Sequence, residues 1–320
     1  MKNKTYLLLA LVALSIVSCK KDELDSKSIF VDPVVKTDTY TYEFDQWLST
    51  YFTKKYNVDF IYKLDDAAMD PNYNVVPVRI GMADTVAHLS LYLWYDVYDK
   101  VVGKDFLTTY GPKMIQLVGS SMINAAQNTE KLGYAEGGIK ITLMKINAMK
   151  TDDKEMMNEY IFKTMHHEFS HILHQQKTYP KDFESITPQD YDPSGWQYRY
   201  DNTVKKSEPN YMWLREKPAW KMGFVTCYGS SETHEDFVET IANYITKSDD
   251  QWQLMLDSAG VDGAKYITTK LNMVRDWLAE KYNYDLDEMH REVQRRQQYL
   301  PKYYDKIMQC DFEYWNYPER

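Results

Sequence analysis

Apolar residues recur at three- and four-residue spacing over Glu43 to Tyr56. Phe44, Trp47, Leu48, Tyr51 and Phe52 fall on one face there and predict a helix. Val58, Phe60, Tyr62 and Leu64 alternate with polar or smaller residues, the period of a strand. Asp65 to Pro77 has no period and reads as loop. Met82 to Val102 reads as a helix loaded with Tyr92, Trp94, Tyr95 and Tyr98. Met114 to Val118 is an apolar run of strand length. Gly137-Gly138 then opens Ile139 to Ile146, where Ile139, Ile141 and Leu143 alternate with Lys140 and Thr142.

The strongest helical pattern covers Asp152 to Gln176. Asp152 and Asp153 suit a helix N-terminus, and Met157, Ile161, Met165, Phe169, Ile172 and Leu173 form one apolar stripe. Residues 177–227 scatter Pro, Asp and aromatics with little period. Helical spacing returns over 233–247, 250–257, 261–283 and 286–309. Strands early and helices late predict an α+β fold: a small N-terminal mixed sheet with helices, a central helix, then a mainly helical C-terminal lobe.

The first 38 residues follow no such pattern. Lys2 and Lys4 precede the short apolar run Tyr6 to Leu14. That run is too short for a bilayer span, which takes about 20 apolar residues, and reads as a secretory signal. Its end, Ile16-Val17-Ser18-Cys19, resembles a bacterial lipobox. The resemblance implies cleavage before Cys19, lipidation of Cys19 and a membrane anchor; a plain cleaved signal with an incidental Cys is the alternative. The expected organisation is a signal peptide at 1–18, a lipidated Cys and polar tether at 19–38, and one compact folded unit at 39–320.

Composition narrows the chemistry. The chain has 320 residues, 38 basic and 47 acidic side chains, and a formal net charge of -9, which argues against a nucleic-acid partner. Three Cys are too few for a disulfide scaffold or a Cys-rich zinc site. With Cys19 assigned to the anchor, Cys227 and Cys310 are left as a pair or as two free thiols. Any metal must be held by His and carboxylates, and the chain has seven His.

Four of those seven lie within 166–174, and His167-Glu168-Phe169-Ser170-His171 reads H-E-x-x-H. Residues four apart on a helix share a face about 6 Å apart, so both imidazoles can reach one ion. Glu168 projects roughly 100° further round, where it can hold a water against that ion. The pair lies about 200° from Met165 and so is expected to face a cleft rather than the apolar stripe. Zinc in hydrolases commonly takes a third protein ligand. His174 is seven residues past His167, about 10 Å along the axis, too far to share that ion on a continuous helix. It suits a place behind the ligands, on the cleft wall or at the surface. Downstream, Glu235 and Glu239 share one face of a predicted helix; Glu235 can close the site, with His234 competing, and Glu239 can accept a ligand imidazole N–H. Trp196, Tyr198, Tyr200, Tyr211, Trp213 and Trp220 lie between the two helices and are candidates for a cleft rim or for packing.

H-E-x-x-H followed by a helix with E-x-x-x-E resembles the gluzincin zinc metallopeptidases. Tyr228-Gly229-x(5)-Glu235-x(3)-Glu239 is similar to gluzincins of the lethal-factor type. The resemblance implies Zn2+ held by His167, His171 and Glu235, with Glu168 as base and Tyr228 stabilising the oxyanion. Glu239 then stands behind the ligands. Asp236 departs from the apolar or aromatic residue often found there. Nearly the whole chain resembles the substrate import-associated zinc metallohydrolase lipoproteins of Bacteroidetes. This implies a gluzincin-like zincin fold, a peptide or glycopeptide substrate, an outer-membrane location and association with a SusC/SusD-type transporter. A zinc hydrolase of another amide or ester, and a binding lipoprotein with a residual metal site, are the alternatives.

Overall fold

The computed structural model describes residues 37, 39–65, 69, 73–124, 129–131, 133–312 and 315. The expected signal, Cys19 and nearly all of the tether lie outside the described residues. Residues up to Tyr42 form one unit, whose described part holds a turn closed by Tyr42 N–H donating to Thr39 O at 3.0 Å; residues 43–320 form the other.

The predicted first helix is present as α1 (42–56), with a π-turn at Ser49–Thr53, and ends where Asn57 takes a left-handed conformation. β1 (Asp59–Ile61) follows and is shorter than the alternation suggested. Helix α2 (80–101) carries another π-turn at Leu91–Tyr95, and α3 (Phe106–Tyr110) leads into β2 (Met114–Leu117). Two short strands, β3 (Met122–Asn124) and β4 (Thr129–Lys131), pair with each other. β5 (Gly133–Glu136) and β6 (Lys140–Leu143) complete a four-stranded sheet of order β1-β2-β6-β5. Its pairs are parallel except β5–β6, so β5 is an antiparallel edge strand.

The predicted α+β class is therefore observed, but β3, β4 and β5 were not among the expected strands. For β5 the signal was present. Gly137 and Gly138 both have positive φ, 59° and 69°, and turn the chain back on itself. A Gly-Gly pair beside an alternating run marks a hairpin, and hence a strand on both sides.

Helix α4 (154–176) begins where Asp153 accepts the Met156 N–H at 3.0 Å, and a π-turn at Asn158–Phe162 interrupts it before the histidines. The segment 177–227 contains two short helices, α5 (Tyr211–Leu214) and α6 (Lys217–Met222). Then come α7 (Thr233–Thr246), α8 (Asp249–Tyr282) and α9 (Leu286–Met308). The break expected between 257 and 261 is a kink at Gly260, whose φ of 74° no helix allows. α7 and α8 both pack on the C-terminal helix α9, and α7 lies across α4. Arg296 of α9 is fully buried and donates to the Tyr92 carbonyl at 2.7 Å and to Asp96 at 2.8 Å, tying α9 to α2.

The apolar side of α4 rests on an aromatic layer. Trp94 and Tyr98 of α2 meet Phe169 edge-on, each at 5.3 Å. Such edge-to-face pairs add to the burial energy of the rings. His166 belongs to this layer. It is fully buried with Nδ1 3.1 Å from the Tyr98 hydroxyl, and burial pushes its pKa down to about 3. On the other side α4 lies close to β5, where a side chain in place of Gly133 would collide with Thr164. A glycine there lets strand backbone approach helix. Cys227 and Cys310 are both free thiols.

Candidate metal centre

The H-E-x-x-H turn of α4 faces the first turns of α7. The helix is enclosed almost all round, and His167 and Glu168 are 7% and 8% exposed. Helix α7 packs across α4, and its Glu235 meets the polar face that the apolar stripe leaves.

Three ligand atoms converge. His167 Nε2 lies 3.2 Å from His171 Nε2 and 3.2 Å from Glu235 Oε2, and His171 Nε2 lies 3.3 Å from the same oxygen. Glu235 Oε2 is buried and accepts no well-directed hydrogen bond from either ring. The three atoms therefore lie at the corners of one small triangle. A tetrahedral ion with bonds of about 2.0–2.1 Å would separate its ligand atoms by about 3.3–3.4 Å. All three edges fit zinc. Glu168 is adjacent: its carboxylate has an oxygen within 4.8 Å of both imidazole ligand atoms.

The electrostatics of the site couple its histidines to its carboxylates. Burial lowers the pKa of His167, but Glu235 and Glu239 more than offset it and push it up to about 10. Burial raises that of Glu235, but His167, His171 and His234 hold it far below the usual carboxylate range. Each group's charge is thus stabilised only by its opposite.

Both imidazoles turn Nε2 inward and Nδ1 outward. His167 Nδ1–H donates to Glu239 Oε1 at 2.7 Å. Burial works against the Glu239 charge, but Lys163 and His167 hold its carboxyl down at about 2. His171 Nδ1 meets His174 Nε2 at 3.0 Å, so His174 stands behind the ligands. Burial, then the charges of His171 and His234, push the His174 pKa down to about 4. His234, the competing third ligand, is 41% exposed and sits 3.4 Å from the outer oxygen of Glu235. It is outside the converging set. Partners behind metal ligands are commonly worth 10–100-fold in metal affinity. Glu239→Gln is accordingly expected to weaken zinc binding by about 10–100-fold, as measured by chelator competition.

Tyr228 opens a 3-10 turn, Tyr228–Ser230, just before α7. Its ring lies 6.0 Å from that of His167, and Trp196 packs edge-on against it at 4.9 Å. Burial and then the Glu235 carboxylate raise the Tyr228 pKa far above its ordinary value, so the phenol stays protonated. Of the aromatics between the two helices, Trp213 and Trp220 are core, while Tyr198 is 82% exposed.

Asp236, the departure noted in the sequence, is fully buried and lies next to Glu235. Lys270 of α8 reaches it at 2.7 Å and also donates to Thr187 Oγ1 and the Gly223 carbonyl, both at 2.8 Å. Tyr191 donates to the same Asp236 oxygen at 2.8 Å. This knot joins α7, α8 and the 177–227 segment. Sequence reasoning missed Lys270, yet it sits on the apolar face made by Ile267, Leu271 and Val274, where a lone Lys signals a buried partner.

Residues 37–287 match the family described as "Putative zinc-binding metallo-peptidase". The fold is similar to the crystal structure of a protein so named from Bacteroides caccae ATCC 43185, with 34% identity and a TM-score of 0.68. The match covers 86% of this chain and 97% of that one. No curated protein matches. The H-E-x-x-H helix and its zinc-sized ligand set thus sit in a chain that belongs to the zinc-binding metallo-peptidase family.

Proposed function

We propose that the protein is a gluzincin-type zinc metallopeptidase that hydrolyses peptide or glycopeptide bonds. The observation that carries this is the triangle of His167 Nε2, His171 Nε2 and Glu235 Oε2, with sides of 3.2, 3.2 and 3.3 Å. In this reading His167, His171 and Glu235 hold the ion, and Glu239 and His174 orient the two imidazoles. Bound there, zinc supplies Lewis acidity and a water acidified toward a pKa of about 7. Glu168 takes the proton of the attacking water and passes it to the leaving amine. Tyr228, held protonated, donates a hydrogen bond to the oxygen on which charge develops.

The edge strand supports a peptide as substrate. β5 runs beside α4 at the rim of the sheet, and an edge offers backbone donors and acceptors to an extended chain. We place the enzyme on the outer membrane through lipid on Cys19, working with a SusC/SusD-type transporter. This part rests on the sequence of residues 1–19 and on the resemblance described above. No helix among the described residues is long and apolar enough to cross a membrane.

The test is zinc analysis of the purified protein with a peptide-library cleavage assay, run with and without a chelator. Stoichiometric zinc and cleavage that the chelator stops and added zinc restores are expected. Bound zinc with no cleaved peptide would shift the assignment to another amide or ester.

A further inference from the structure

The two residues before Tyr228 are tied to two buried carboxylates. Glu216 stands at the start of α6, 8% exposed, and its Oε2 accepts the Cys227 backbone N–H at 2.6 Å. Thr226 donates its hydroxyl to Glu239 Oε2 at 2.7 Å and accepts the Gly229 N–H at 3.0 Å. Ser230 closes the turn by donating to the Cys227 carbonyl at 2.6 Å. Glu239 therefore grips the turn with one oxygen and His167 with the other. A 3-10 turn of three residues has little internal hydrogen bonding to fix its place. Its register comes from these outside anchors.

We infer that Glu216 and Thr226 are positioning residues that set the Tyr228 hydroxyl against the reacting carbonyl. Neither is a metal ligand or touches a ligand imidazole, and neither has a place in the reaction as proposed so far. The inference rests on the role given to Tyr228. It explains why a glutamate is buried at the start of a short helix although burial pushes its pKa up to about 7: its carboxyl oxygen satisfies the Cys227 backbone N–H. Gln keeps an acceptor oxygen at that point, whereas Ala leaves the N–H unpaired.

The test compares Glu216→Ala, Glu216→Gln, Thr226→Val and Tyr228→Phe in the full chain. Loss of one oxyanion donor costs about 10²–10³ in kcat, so Tyr228→Phe should fall in that range. Glu216→Ala and Thr226→Val should lower kcat by at least about tenfold toward that limit. KM and zinc content should stay at wild-type values in Glu216→Ala, and Glu216→Gln should restore most of kcat. A second readout needs no metal: amide hydrogen exchange of the 226–230 segment in metal-free protein should quicken in Glu216→Ala and return in Glu216→Gln. Should Glu216→Ala fail to fold, Thr226→Val, which keeps the side-chain shape, carries the same comparison. Wild-type kcat in Tyr228→Phe would remove the role of Tyr228 and this inference with it. An impaired Tyr228→Phe beside unimpaired Glu216→Ala and Thr226→Val would overturn the inference alone.

Discussion

Replacing Glu168 with Gln is expected to leave zinc in place and to lower kcat by about 10²–10⁴-fold, the usual worth of a general base. The two imidazoles and Glu235 form the ligand triangle without Glu168, so its charge is not needed to close the set. Yet Glu168 is the one carboxylate on the same helix turn whose oxygen comes within 4.8 Å of both ligand nitrogens. It is also 8% exposed, which keeps bulk water from doing its work. Gln has the same shape and cannot take a proton. His171→Ala, by contrast, removes one corner of the triangle and should lose zinc and turnover together. Zinc content and initial rates on a cleaved library peptide measure both effects. Glu168→Gln protein that turns over at the wild-type rate would rule out the base assignment.

Lys270→Met should destabilise the fold by about 3–5 kcal/mol, the cost of breaking one side of a buried ion pair. Burial opposes both charges: it lowers the pKa of Lys270 and raises that of Asp236. What offsets this is the 2.7 Å pairing, together with the Tyr191 hydrogen bond to Asp236 and those of Lys270 to Thr187 and Gly223. Met fills the space but leaves Asp236 with a charge and one donor. Urea unfolding measures the loss. Adding Asp236→Leu to Lys270→Met should recover much of it, because an apolar pair carries no desolvation penalty. A single variant within about 0.5 kcal/mol of wild type, the range of ordinary surface changes, would show that the pair stays hydrated.

Local periodicity made much of this readable. The spacing of Met157, Ile161, Met165 and Phe169 located α4, and four-residue spacing put His167 and His171 on one face. Short-range rules stop where long-range packing begins. That α7 covers the histidines, that Glu235 and not His234 turns toward them, and that Asp236 hides beneath with Lys270 all depend on how α7 crosses α4 and α8. Spacing offered Glu235 and His234 side by side without choosing between them, since a Glu pair at four-residue spacing is common on solvated faces. Strand β5 was missed for another reason. Gly133-Tyr134-Ala135-Glu136 has almost no apolar alternation, and the evidence for it lay in the turn that follows. The pairing of Cys227 and Cys310 was open in the sequence, and both prove to be free.

The residues proposed as ligands come from two helices separated by the whole 177–227 segment, and they meet only because α7 lies on α4. The unfolded chain has the His pair but not the triangle, so an ion that seeks all three ligands binds the native state almost exclusively. Its binding free energy then adds to the resistance to unfolding, by about 2.7 kcal/mol when free zinc stands at 100 times the dissociation constant. The melting temperature of this protein should rise with the zinc concentration around it. Scarcity of metal would thus shorten the life of the fold as well as silence its chemistry.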